Sequence, residues 1–255
     1  MLHFEDQMGN VVSLPHLPKR IVSLVPSQTD LLYYFRLGNK VVGQTLFCIK
    51  PQKEFEKATK IGGTKKLNLD KIRELKPDLI IGNKEENEKS QIEELQKEFP
   101  VWMSDINSIN EALDMIVKLG VVLGKGEEAI KLEHHIRKGL SQIKPVNQTA
   151  LYLIWQEPYM AVGLNTFIND VMLHASLTNV LKEEESRYPE LNIERIKKLN
   201  PDVILLSSEP FPFKEKHKEE LEKILPGTEV KLVDGEVFSW YGNKMLDIKS
   251  YFDTF

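Results

Sequence analysis

One stretch of this chain occurs twice without a gap, and it limits the fold more than any other feature. Residues 67–81 read Leu-Asn-Leu-Asp-Lys-Ile-Arg-Glu-Leu-Lys-Pro-Asp-Leu-Ile-Ile, and residues 191–205 read Leu-Asn-Ile-Glu-Arg-Ile-Lys-Lys-Leu-Asn-Pro-Asp-Val-Ile-Leu. In each copy an asparagine (Asn68, Asn192) is placed to cap a short helix, the aliphatic residues form its buried stripe, Pro-Asp ends it, and an aliphatic run predicts a strand. A chain carrying two such units folds as two like halves. Each copy also places an acid, Asp70 or Glu194, in the first helical turn. The helix dipole favours a carboxylate there by ~0.3–1 kcal/mol, so a purely structural role is open to both.

Between the copies, apolar residues recur three and four apart at Ala112, Met115, Ile116, Leu119, Val122 and Leu123, then at Ala129, Leu132, Ile136, Leu140 and Ile143. That period predicts one long helix over residues 108–144, opened by Ser108 with Glu111 and stopped by Pro145. At ~1.5 Å per residue it would run roughly 54 Å, longer than a small lobe is wide. Gly120, Gly124 and Gly126 each cost about 1 kcal/mol against alanine inside a helix, so two helices joined at residues 124–126 are the alternative.

Elsewhere strands alternate with helices. Residues 6–14 read as a short hairpin around Gly9-Asn10. Residues 20–25, 41–47, 78–81 and 101–103 read as strands of the first half, and 150–155, 202–206 and 230–233 as strands of the second. Helices are expected at residues 31–37, capped by Ser27 with Asp30, and from a cap at Ser90. Four more are expected at residues 166–175, 192–199, 214–224 and 244–252. The expected fold class is α/β, with two lobes, each a mainly parallel sheet flanked by helices, joined by one long backbone helix. The lobes would span residues 1–106 and 146–255, with the helix at 107–145.

With 255 residues, of which 41% are apolar, the chain fills both cores. A net charge of -4 and a pI near 5.9 exclude a general attraction to nucleic acid or anionic membrane. The single Cys48 excludes an internal disulfide and says little about redox compartment. The first residues lack the basic and apolar regions of a signal peptide, and no apolar run approaches the ~18–20 residues needed for a membrane span. The expectation is a protein not inserted in a membrane: cytoplasmic as written, periplasmic if a leader has been removed.

Residues 20–30, 41–43 and 62–64, together with both copies of the repeat, resemble the substrate-binding proteins of ABC importers for vitamin B12, haem and iron-siderophores. Residues 83–87, 207–213 and 238–242 are most similar to the vitamin B12-binding branch. The resemblance covers residues 20–251. It implies a monomeric protein of two lobes on a rigid backbone helix that captures a corrinoid or related metal chelate in an inter-lobe cleft, without catalytic residues, resident metal or cofactor. It also implies an ABC permease dimer as partner, with one acid of each lobe docking on permease arginines. The matching positions are Asp70 and Glu194. Family members usually carry Glu at both, and Asp is one methylene shorter.

Loops that leave strand C-termini are the usual ligand positions in open α/β sheets. They select Phe47, Cys48, Lys65, Lys84, Glu85 and Glu86 in the first half, and Trp155, Tyr159, Glu209, Phe211, Trp240 and Tyr241 in the second. Aromatic side chains in loops offer flat surfaces to a planar ligand, although Phe213 reads as core. His134 and His135 are adjacent on a helix and cannot share a face. No His-Glu-x-x-His, paired-cysteine or phosphate-loop pattern occurs. Two alternatives keep the same residues: an intracellular corrinoid- or metal-handling protein without a permease, and an enzyme that uses Cys48 or the carboxylates Glu85, Glu86 and Glu209.

Overall fold

A computed structural model describes residues 1–51, 56–182 and 186–255; part of the polar loop expected between Cys48 and Lys60 lies outside them. The chain divides into two compact units, the first comprising Met1–Ile106, Asn110–His135 and Tyr241–Asn243, the second Asn107–Ile109, Ile136–Trp240 and Lys244–Phe255.

The first unit starts with the antiparallel hairpin β1 (Leu2–Glu5) and β2 (Val11–Leu14), continues with β3 (Ile21–Ser23), α1 (Pro26–Tyr34), β4 (Val41–Gln44) and β5 (Thr59–Lys60), and ends its sheet through α2 (Leu69–Leu75), β6 (Leu79–Asn83), α3 (Lys89–Gln96) and β7 (Val101–Ser104). Among the described residues its main sheet is parallel throughout, in the order β5-β4-β3-β6-β7. Every residue of β3, β6 and β7 is buried, as expected of strands covered on both faces.

The expected long helix is two helices, α4 (Ile109–Val122) and α5 (Gly126–Leu140). Gly124 takes φ +70, a left-handed conformation that ends a helix, and the Lys125 N–H closes the turn onto the Gly120 carbonyl at 2.7 Å. Gly120 makes the corner tight: a Cβ built there would stand 2.2 Å from the Cβ of Ala129. The apolar period runs through the break because both helices bury one stripe, from Ala112 to Leu123 and from Ala129 to Leu140.

The second unit contains β8 (Gln148–Trp155), β9 (Tyr159–Ala161), α6 (Phe167–His174), β10 (Leu177–Asn179), β11 (Glu190–Leu191), α7 (Ile193–Leu199), β12 (Val203–Ser207), α8 (Glu215–Ile224), β13 (Glu229–Val233), α9 (Gly235–Ser239) and α10 (Asp247–Phe252). Its sheet runs β11-β9-β8-β12-β13 with β10 also on β8; β10, β12 and β13 pair in parallel, and β9 and β11 are antiparallel. Leu151, Leu153, Ile204 and Leu206 from the central strands pack with Ile196 of α7 and Leu221 of α8. The expected terminal helix begins as a 3-10 turn over Asn243–Leu246.

The two copies of the repeat adopt one structure. Asn68 accepts the Lys71 N–H at 3.0 Å and Asn192 the Arg195 N–H at 2.9 Å, so each caps its helix. Lys76 and Asn200 close those helices with φ 44 and 45. The Pro-Asp aspartates do more than stop a helix. Asp78 accepts the backbone N–H groups of Lys19 (2.9 Å) and Arg20 (2.8 Å) at the entry to β3. Asp202 accepts the N–H and the hydroxyl of Thr149, both at 2.7 Å, in β8. Each carboxylate thus ties the start of its own strand to the neighbouring central strand.

The other expected caps differ. The N-cap position of α1 is Val25, because Pro26 needs no N–H partner at the first helical position, and Ser27 and Asp30 lie within the helix. For α3 the cap position is Glu88, without a side-chain bond.

Hydrogen bonds from Thr149 hold the Asp202 carboxyl below the usual aspartate range. A depressed folded-state pKa stabilises above the unfolded value, and the contribution is lost as pH falls through the folded one. Urea midpoints measured from about pH 6 down to about pH 2 should therefore fall more steeply for the wild type than for Asp202→Asn. Parallel curves would refute this role.

Candidate ligand-binding site

In the first unit the turn after β4 presents Phe47 to solvent at 59% exposure, with Leu46 and Ile49 beside it. Cys48 points inward and is 1% exposed. Its Sγ lies 3.1 Å from both Thr29 Oγ1 and Thr45 Oγ1, and burial pushes the thiol pKa up against these bonds and the nearby Lys60. A buried, protonated thiol is a poor nucleophile.

Lys65 and Lys84 are exposed along their chains but engaged at their ends: Lys65 donates to the Glu85 carbonyl at 2.5 Å, and Lys84 pairs with Asp105 at 2.6 Å. After β6, Asn83 Oδ1 accepts the N–H groups of Glu85 (2.9 Å) and Glu86 (3.1 Å), which fixes that turn.

Sequence reasoning missed the polar floor beneath these loops. Gln28 donates to Ser104 Oγ at 2.6 Å, and Asn83 donates to the same oxygen at 3.0 Å. Tyr241, expected with the second half, belongs to this unit; it is buried, and its hydroxyl lies beside Ser27 and Ser104. Burial, with Glu86 nearby, pushes its pKa well up. The available signal was the polar run Ser27-Gln28-Thr29 in the first turn of the helix that follows a buried strand.

In the second unit the ends of β8 and β12 converge on an aromatic cluster. Trp155, the last residue of β8, is 41% exposed. Its ring meets Phe211 edge-on at 5.6 Å, and Phe211 in turn meets Phe213 at 4.8 Å and His217 at 5.3 Å. Phe213 is core, as expected, while Phe211 and Tyr159 are partly buried. A cavity of about 240 Å³ opens beside Phe211, lined by Gln156, Glu157, Lys216, His217 and Glu220. His217 Nδ1 accepts the Lys214 N–H at 2.9 Å, which leaves Nε2 to carry the proton of the neutral ring and makes it a donor rather than a metal ligand. Trp240 is buried, its Nε1–H donating to Glu209 at 3.0 Å. Among the described residues no group of three or more His, Cys, Asp or Glu side chains is placed to hold a metal ion.

Asp70 and Glu194 both stand in the first turn after their asparagine caps, exposed at 88% and 70%. Each has a basic residue three positions on, Arg73 at 3.0 Å and Lys197 at 3.2 Å. Arg73 also reaches Glu94 of α3 and Glu98 in the turn after it. His134 and His135 lie side by side on α5, and His174 closes α6. Among the described residues no helix is long and apolar enough to cross a membrane.

Two α/β units built on the same repeated helix-strand element, with the candidate residues at their strand ends, define the class of fold. The chain belongs to the periplasmic binding protein family, whose model matches residues 21–231. It is 28% identical over 216 residues to an uncharacterized ABC transporter substrate-binding lipoprotein, YvrC, of Bacillus subtilis (strain 168), covering 79% of this chain and 67% of that protein. It is 26% identical over 204 residues to a vitamin B12-binding protein of Vibrio cholerae serotype O1, covering 78% of this chain and 74% of the other. In fold it matches the periplasmic catecholate-siderophore binding protein VctP of Vibrio cholerae with a TM-score of 0.82 at 16% identity, over 100% of this chain and 99% of that one.

Proposed function

We propose that this protein is the substrate-binding component of an ABC importer and that it captures a corrinoid, vitamin B12-like, or a related metal chelate. The observation that carries the reading is the aromatic cluster at the ends of β8 and β12, in which the exposed Trp155 ring meets Phe211 and Phe211 lines a cavity. Rings held by an edge-on neighbour keep their faces for a flat, rigid guest, which binds with little loss of side-chain freedom. Membership of the family and the names of its relatives support the transport role. The protein acts by binding and release, without turnover, on the outer side of the cytoplasmic membrane. Calorimetric titration with cyanocobalamin, cobinamide, haemin and ferric siderophores tests the reading; absence of binding to all of them would refute it.

The permease partner is met through Asp70 and Glu194, equivalent positions of the repeated unit. Two carboxylates on like helix starts suit arginines repeated by a two-fold symmetric permease, through charge-assisted hydrogen bonds. Such bonds contribute ~1.5–3 kcal/mol each, so Asp70→Ala or Glu194→Ala should weaken binding to the reconstituted permease about tenfold or more while leaving ligand affinity unchanged. Equal permease affinity for the double variant and the wild type would remove this assignment.

A further inference from the structure

Glu209 lies in the turn that follows β12, two residues before Phe211, and its position is built rather than incidental. Ser207 Oγ donates to the Glu209 carbonyl at 2.6 Å, and the Gly235 N–H donates to Ser208 Oγ at 2.9 Å, so the turn is fastened to the start of α9. Only glycine fits at 235: a Cβ there would stand 2.5 Å from Ser207 Oγ and 2.6 Å from Glu209 Cγ. Within this frame the Glu209 Oε1 accepts two hydrogen bonds, from Trp240 Nε1 at 3.0 Å and Ser239 Oγ at 2.9 Å.

Oε2 has neither a hydrogen bond nor a cation among the described residues. The charged groups that act on Glu209 are the acids Glu236 and Asp234, and Lys244, which pairs with Glu236 at 3.7 Å, is held by Asp247 at 3.0 Å. Partial burial pushes the Glu209 carboxyl pKa up, as expected of a charge that has lost water without gaining a counter-ion. An anion fixed in this way is stabilised by an arriving N–H donor or positive charge and destabilised by a second anion.

We infer that Glu209 selects the charge class of the ligand: Oε2 accepts a hydrogen bond from an amide N–H or cationic group on the rim of a chelate lying against Trp155 and Phe211, and it repels chelates rimmed by carboxylates or catecholates. The inference rests on the reading of these aromatic residues as a chelate site and narrows its substrate to neutral or positive, donor-rimmed complexes. Nothing covalent is involved; discrimination comes from an unfavourable contact with the wrong guest as much as from a favourable one with the right guest.

The test is competitive titration with cyanocobalamin, which is neutral overall and rimmed by amides, with haemin, which carries two propionates, and with a ferric tris-catecholate. The wild type should prefer cyanocobalamin over either anionic chelate by at least ~10-fold. Glu209→Gln retains a carbonyl oxygen for Trp240 and Ser239 but removes the charge, so it should narrow that preference severalfold by raising haemin affinity. Ser239→Ala removes a bond to the carboxylate but keeps its charge, and should leave the preference intact. A wild type that binds haemin or the catecholate as tightly as cyanocobalamin, or a preference unchanged in Glu209→Gln, overturns the inference and leaves the importer reading standing. If none of the three binds, the chelate-site reading itself falls and takes the inference with it.

Discussion

Replacing Gly120 by valine will drive the α4–α5 corner apart. A Cβ at this position stands 2.2 Å from Ala129 Cβ, well inside contact distance, and the valine methyl groups add further volume. Overpacking of this kind costs ~1–3 kcal/mol and sometimes more, which for a chain of this size corresponds to a Tm lower by roughly 2–12 °C. Ala129 is fully buried, so the added atoms have no route to solvent. The clash is mutual and therefore correctable from the other side: Gly120→Ala combined with Ala129→Gly should recover much of the stability lost in Gly120→Ala alone, a non-additivity that contact predicts. Thermal unfolding followed by far-ultraviolet circular dichroism measures both effects. A Gly120→Val protein melting within a degree of the wild type would show that the helices separate without cost.

The second large effect is on ligand affinity. Trp155 and Phe211 support each other edge-on at 5.6 Å, and Trp155 is substantially exposed. Truncating an aromatic anchor at a binding surface typically costs ~2 kcal/mol or more, about thirtyfold in Kd. Trp155→Ala and Phe211→Ala should each weaken chelate binding by that order. Because the rings touch, the double variant should lose less than the sum of the two. The fold should tolerate Trp155→Ala, since a partly exposed ring at a strand end contributes little to the core. Calorimetry on the single and double variants gives the cycle directly; wild-type affinity in Trp155→Ala would move the ligand away from this cluster.

What could be read from the residues was mostly what is local. The repeat announced its own structure because a cap and its partner N–H are three residues apart, and the strand follows within a few positions; both copies therefore formed as expected. The stripe over residues 108–144 predicted buried helix correctly but not the turn within it, since period reports which face is apolar and carries no record of a three-residue interruption. Gly124 decided that point by adopting φ +70. The cap at Ser27 failed because Pro26 ahead of it already satisfies the first helical position.

Site residues were harder for a different reason. Loop position made Trp155 and Phe211 candidates alongside Trp240 and Cys48, but exposure depends on partners far along the chain. Trp240 is covered because its N–H reaches Glu209, 31 residues away, and Gln28 is buried by a bond to Ser104, 76 residues away. Cys48 turned inward for the same kind of reason, held by Thr29 from a preceding helix. No spacing rule connects such pairs.

The left-handed glycine between α4 and α5 has one more consequence. In an unbroken helix, angular phase is inherited: inserting a single residue rotates everything downstream by about 100°. Here the inheritance stops at Gly124, and the orientation of α5 is reset by its seat against Gly120. A residue added or lost at positions 124–126 would therefore be felt at the corner itself and not as a rotation of everything downstream, a confinement that a continuous rod does not offer.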